Sequence, residues 1–143
     1  MVFEPYLFFA GTCEEALTYY AKVFGGRIEQ LHRFDQVPPE YPTPDDWKQK
    51  VMHARFESPA FKLMASDGRP GTEQKAGNIS LSLGFDDASE GERVFNALAE
   101  GGVIEMPLAD QFWGARYGSL TDRFGIEWMV NIALSPATTA SPN

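Results

Sequence analysis

Few side chains here are equipped for chemistry: two histidines, His32 and His53, and a single thiol, Cys13. In VMHARFE, strand alternation puts His53, Arg55 and Glu57 on one face and Met52, Ala54 and Phe56 on the other. The apolar face predicts packing against a helix, which would aim His53 and Arg55 at a cavity. The plainer alternative is a partly buried histidine held by a hydrogen bond. His32 lies in an alternating strand and reads as a surface or edge residue. A zinc site built on His53 would need acidic residues such as Asp67 or Glu127 to converge on it. Cys13 falls in the first turn of a helix, where the dipole lowers a thiol pKa. No histidine partner is visible for it, and a packing residue at the helix entry is the simpler reading.

Other reaction classes lack their signatures. There is no GxSxG elbow for a hydrolase, and no GxxxxGK[ST] loop or GxGxxG turn for nucleotide phosphates or a dinucleotide. No glycine-rich strand-to-helix turn would cradle S-adenosylmethionine. One cysteine excludes an intrachain disulfide framework and a CxxC site. With 12 basic against 20 acidic side chains in 143 residues the net charge is −8, so nucleic acid is not an expected partner. No apolar run approaches the ~18 residues of a membrane span, and MVFEPYLFFAG lacks a basic leader region. A cytoplasmic protein without membrane contact is expected. The positive signal for binding is aromatic. Phe112 and Trp113 precede a glycine-spaced strand containing Tyr117, Trp128 and Met129 share the last strand, and Trp47 follows a proline-rich stretch. Trp113, in a loop, is the cavity candidate, while Trp128 and Phe124 are expected in the core.

The elements that must position these groups form a repeat. A helix is predicted over 13–24, with Thr12 and Glu15 as a capping box, an apolar stripe of Ala16, Leu17, Tyr20, Val23 and Phe24, and Gly25-Gly26 as its stop. A second follows Asp87, with Glu90 three residues on, the stripe Val94, Phe95 and Leu98, and the stop Gly101-Gly102. Shifting the chain by 76 matches seven of the 21 positions from 9 to 29, including both Gly-Gly pairs. Each unit has room for strand, helix and three strands: 3–9, 27–34, 50–57 and 60–66, then 78–85, 102–106, 116–121 and 126–132. Ser58-Pro59 reads as a hairpin turn, QVPPEYPTPDDWKQK as a lid or linker, and 135–143 as a flexible tail.

PYLFFAGTCEEALTYYAKVFGG, KVMHARF, LMASDG and FWGARYGSLTDRFGIEWMVN resemble the PhnB-like branch of the vicinal oxygen chelate superfamily, over about residues 3 to 132. That superfamily includes glyoxalase I, extradiol dioxygenases and bleomycin-resistance proteins. The resemblance implies an α+β fold of two βαβββ modules, about 1–72 and 73–134 of a single domain 1–134, forming curved mixed sheets around a concave cavity, usually in a homodimer. It also implies four metal-ligand positions, which fall here at Pro5, Leu63, Asn78 and Met129. Proline, leucine and methionine do not ligate hard or borderline metals, so no metal or other cofactor is expected there. The expected function is binding of a small organic ligand, with His53, Arg55, Asn78, Trp113, Glu127 and Met129 lining the cavity and the negative charge favouring a cation. The alternatives are a metal-dependent lyase, isomerase or dioxygenase with a displaced site around His53, or a collapsed cavity and a role in interaction alone.

Overall fold

Ala16, Leu17, Tyr20 and Val23 recur at helical spacing, and all four are buried along a helix over Cys13–Phe24 (α1). Full burial of Leu17 or Tyr20 contributes roughly 1.5–3 kcal/mol each. Gly25 ends α1 in the left-handed region at φ 70°, and its successor Gly26 has a different duty. A Cβ on Gly26 would lie 2.5 Å from the carbonyl oxygen of Glu57, so the chain can pass that strand only without a side chain.

The computed structural model of the protein describes residues 1–71 and 77–134. It divides into two units, Met1–Lys75 and Ala76–Asn143. The first contains β1 (Tyr6–Phe8), α1, β2 (Arg27–Arg33), β3 (Val51–Glu57) and β4 (Lys62–Ser66). The second contains β5 (Leu81–Phe85), α2 (Ala88–Ala99), β6 (Val103–Asp110), β7 (Ala115–Thr121) and β8 (Glu127–Ala133). Each unit is a mixed four-stranded sheet of one topology, β1-β4-β3-β2 and β5-β8-β7-β6. The first and last strands of each unit run parallel and the other neighbours antiparallel. The fold is α+β, with two βαβββ modules. The predicted tail, 135–143, lies outside the described residues.

One face of each sheet is apolar and buried with its helix. In the first unit that face carries Leu7, Phe9, Ala54, Phe56, Leu63 and Ala65, and in the second Leu120, Trp128, Val130 and Ile132 with Val94, Phe95 and Leu98 of α2. The predicted burial of Trp128 is observed, whereas Phe124 is half-buried under the Arg123 guanidinium. The helix bounds are offset by 75 rather than 76, which matches Tyr20 with Phe95 and Val23 with Leu98 in the core. An extra residue, Glu100, at the end of α2 restores 76 at the glycines. Glu14/Glu90 and Ala21/Ala97 are thus identities of sequence that do not share a helix position.

The two helix starts differ. Asp87 caps α2 as expected, accepting from the backbone N–H groups of Ser89 and Glu90. Thr12 makes no side-chain cap, so the Thr12–Glu15 capping box does not form. Buried Asp67, just beyond β4, instead ties down the helix entry at other amides: Oδ1 accepts from the Gly11 and Cys13 amides at 2.9 and 2.8 Å, and Oδ2 from the Val51 amide at 2.8 Å.

The proline-rich stretch joins β2 to β3 through short 3-10 turns at Phe34–Gln36 and Asp45–Trp47. It is tied down at its base by Lys50 Nζ to the Gly11 carbonyl at 2.9 Å and by Trp47 Nε1 to the Gly68 carbonyl at 3.0 Å. The equivalent connection in the second unit is only the segment 111–114. The Ser58-Pro59 hairpin forms as expected, with the Ser58 N–H donating to the Phe61 carbonyl at 2.9 Å.

Candidate functional site

The face of the first sheet turned away from α1 carries the reactive groups, and alternation decides which. On β3, Ala54 and Phe56 are buried while His53, Arg55 and Glu57 take the opposite face, as the sequence predicts. Met52, expected with the apolar set, is only half-buried, and Val51 is buried instead, where the β2–β3 register shifts. The ladder sets Tyr6 beside Met64, Met64 beside Arg55, and Arg55 beside Gln30, a row across all four strands. Next to it His53 pairs with His32 across the β2–β3 ladder.

The side chains of this face are linked. The Tyr6 hydroxyl lies 2.9 Å from His53 Nδ1, and the Tyr6 ring stacks on Phe8 with centroids 4.9 Å apart. Arg55 donates to both carboxylate oxygens of Glu4, at 3.2 and 3.3 Å. Burial lowers the His53 pKa below its ordinary value, and the charges of Arg55 and His32 push the same way. Burial raises the Tyr6 pKa, with a smaller push from Cys13, so the phenol stays protonated. His53 is therefore the partly buried, hydrogen-bonded histidine of the plainer reading and also faces away from the helix. Tyr6, Glu4 and Phe8 escaped the sequence reading. The alternation of buried Leu7 and Phe9 in PYLFF is the signal that could have found Tyr6 and Phe8.

Two expectations about metal ligands are corrected. Leu63 is 2% exposed and faces the helix, because Arg55 pairs with Met64, not Leu63. Asn78 is exposed and precedes the strand, since the β5–β8 ladder begins only at Leu81. The four first- and last-strand residues on the open faces are Tyr6 and Met64 in the first unit and Ser82 and Met129 in the second. A neutral phenol, a hydroxyl and two thioethers do not fit the nitrogen and carboxylate donor set that the superfamily's metal requires. Asp67 cannot serve His53, because both its oxygens are occupied by backbone amides. Cys13 is fully buried, and burial first, then the charges of Asp67 and Glu14, push its thiol far above the ordinary range. It is a packing residue.

In the second unit, Glu127, Met129 and Asn131 share the face opposite the buried Trp128, Val130 and Ile132. Trp113, 54% exposed in the β6–β7 loop, packs edge-on against Phe112 and 6.3 Å from the Tyr117 ring. His53 and Arg55 thus belong to one unit, and Asn78, Trp113, Glu127 and Met129 to the other. Two clefts open within the units. One of about 340 Å³ is lined by Gly11, Glu14, Lys50 and Asp67 beside the start of α1, and one of about 400 Å³ by Glu92, Phe95, Ile104 and Arg116. Neither is lined by any of these six residues. Among the described residues no three His, Cys, Asp or Glu side chains group as a metal cluster, and no helix is long and apolar enough to cross a membrane.

The sequence model of the 3-demethylubiquinone-9 3-methyltransferase family matches residues 2–131. Protein YjdN of Escherichia coli is 30% identical over 96% of this chain and 99% of its own length. The solved structure of PA1353 from Pseudomonas aeruginosa is 45% identical, covers 94% of this chain and 99% of that one, and superposes with a TM-score of 0.82. A Bacillus cereus PhnB protein, described as a 3-demethylubiquinone-9 3-methyltransferase, is 26% identical, covers 93% and 100%, and has a TM-score of 0.77. A glyoxalase/bleomycin resistance/dioxygenase domain from Frankia shares the fold alone, at 14% identity, TM-score 0.63 and coverage of 93% and 91%. The chain belongs to the 3-demethylubiquinone-9 3-methyltransferase family, is similar to a PhnB protein of that description, and has the fold of the glyoxalase/bleomycin resistance/dioxygenase proteins.

Proposed function

We propose that this protein is a cytoplasmic homodimer that binds a small organic ligand on the open face of its first sheet, without a metal at the superfamily's usual positions. The observation that carries this reading is the linked set of Tyr6, Phe8 and His53 beside the Arg55–Glu4 pair: an aromatic wall, an imidazole and a balanced ion pair on one face. Such a surface suits a flat, polar ligand, and stacking on Tyr6 and Phe8 supplies most of the affinity. The net charge of −8 favours a cationic aromatic compound at low salt. A methyl-transfer reading based on the family's name finds less support. At the two strand-to-helix turns, Asp67 and Asp87 already occupy the amides of Gly11, Cys13, Ser89 and Glu90 that could have held a cofactor's carboxylate.

The test is a thermal-shift and ligand-observed NMR screen of cationic, neutral and anionic aromatic compounds. Cationic aromatics are expected to bind and to lose affinity about tenfold in Tyr6→Ala, the loss of an aromatic contact and its buried area. Hits that bind Tyr6→Ala unchanged would remove this face from the reading. Light scattering reports the dimer, and a monomer at micromolar concentration counts against it.

A further inference from the structure

His32 and His53 are the only imidazoles of the chain, and the β2–β3 ladder places them directly opposite one another. Directly paired residues of antiparallel strands project from the same face, with Cβ atoms about 4.5–5.5 Å apart. Each ring is also held by its inner nitrogen. His32 Nδ1 lies 3.0 Å from Gln36 Oε1, an acceptor, so it carries the proton. His53 Nδ1 lies 2.9 Å from the Tyr6 hydroxyl, whose oxygen can accept in the same way. Donation from Nδ1 leaves the lone pair on Nε2, and among the described residues neither Nε2 has a hydrogen-bond partner. This is how proteins prepare histidine as a metal ligand: an outer-shell oxygen fixes the tautomer and the ring plane.

We propose that His32 and His53 form a two-histidine site for a late first-row divalent cation, held by both Nε2 atoms with water completing the coordination. The site shares His53 and Tyr6 with the proposed ligand face, but it rests on the histidine pair and does not require that reading, and it is distinct from the superfamily's four strand positions. Two imidazoles without a carboxylate select copper(II), nickel(II) and zinc over magnesium and calcium, with copper(II) the tightest. Arg55, two residues from His53 on the same face of β3, is paired with Glu4, which offsets its repulsion of an incoming metal. Tyr6 remains a neutral phenol and acts by orienting His53.

The experiment uses the full chain without an affinity tag, stripped of metal by chelator and titrated with copper(II), nickel(II), zinc and magnesium salts. One transition-metal ion per chain is expected by calorimetry, with no magnesium binding. Substoichiometric copper(II) should broaden the ring-proton NMR signals of His32 and His53 together, a readout that needs no variant. His32→Ala and His53→Ala should each weaken nickel(II) binding at least about tenfold, and Tyr6→Phe, which removes the outer-shell oxygen, should weaken it by about tenfold. Circular dichroism verifies that the variants fold. Absence of any transition-metal binding, broadening of only one histidine, or affinity unchanged in either single-histidine variant would each overturn the site.

Discussion

The two units share one ladder and differ in what stands on it. Tyr6, Met64, Arg55 and Gln30 form a row across the first sheet, and Ser82, Met129, Ser119 and Met106 occupy the matching row of the second. In the neighbouring row the cross-strand pair His53–His32 is matched by Tyr117–Ala109. The row across the first sheet is aromatic and ionisable, and its match in the second is small, hydroxylated and thioether-rich, with Tyr117 and Glu127 as aromatic and ionisable groups elsewhere on the second open face. The helix-facing sides differ far less, Leu63 standing where Trp128 does and Phe56 where Leu120 does. A core that must fill its volume constrains both copies alike, while an open face carries chemistry only where something uses it.

The largest effect expected from breaking this comparison lies in the two buried carboxylates. Asp67 satisfies amides on three separate stretches of chain, at Gly11, Cys13 and Val51. Asp122 acts locally, accepting from the Phe124 and Ile126 amides and from Trp128 Nε1 at 2.9 Å. Asp67→Ala should cost about 4 kcal/mol, because it leaves two buried donors and one half-buried donor without partners and releases the entry of α1. Asp122→Ala should cost about 2–3 kcal/mol, since part of its hairpin can relax into water. Urea denaturation checks both, and equal losses would refute the distinction between a long-range tie and a local one.

Much of this frame is legible in the sequence. Helical spacing and glycine stops give α1 its bounds at Cys13 and Phe24, and alternation gives the orientation of His53 and Arg55. What stays hidden is non-local. Asp67 accepts from the first amide of a helix 54 residues away, which no rule of adjacent residues anticipates. The Tyr6–His53 contact spans 47 residues and depends on β1 and β3 meeting on either side of β4. Against the open-face residues Tyr6, Met64 and Ser82, the positions read as metal ligands are displaced by one residue at Pro5 and Leu63 and by four at Asn78. In a strand a one-residue slip exchanges the open face for the core, as at Leu63.

A smaller effect separates the helix caps. Asp87→Ala removes an acceptor shared by two amides and should cost about 1 kcal/mol. Thr12→Ala removes no cap bond, and its cost should stay within about 0.5 kcal/mol. Thermal unfolding resolves the pair, and a Thr12 loss matching that of Asp87 would mean that the threonine hydroxyl caps α1 in solution.

The smallest effect is a titration. The folded-state pKa of His53 is lowered, by burial first and then by Arg55 and His32, from an unfolded value near 6.5. Over the window below about 6.5 the unfolded chain therefore binds more protons at this residue than the folded one, so its contribution to stability rises with pH and is lost as pH falls. Followed by the ring-proton NMR shift, His53 should titrate below the ordinary histidine value in the native chain. Arg55→Gln should move the midpoint upwards by removing the second cause. Tyr6→Ala should move it further, because opening the face to water weakens the first. A native midpoint at or above the ordinary value would mean that the Tyr6 contact stabilises the imidazolium rather than shielding a neutral ring. The open face of the first unit would then be acidic in character, unlike the face described by the Tyr6–His53 and Arg55–Glu4 pairs.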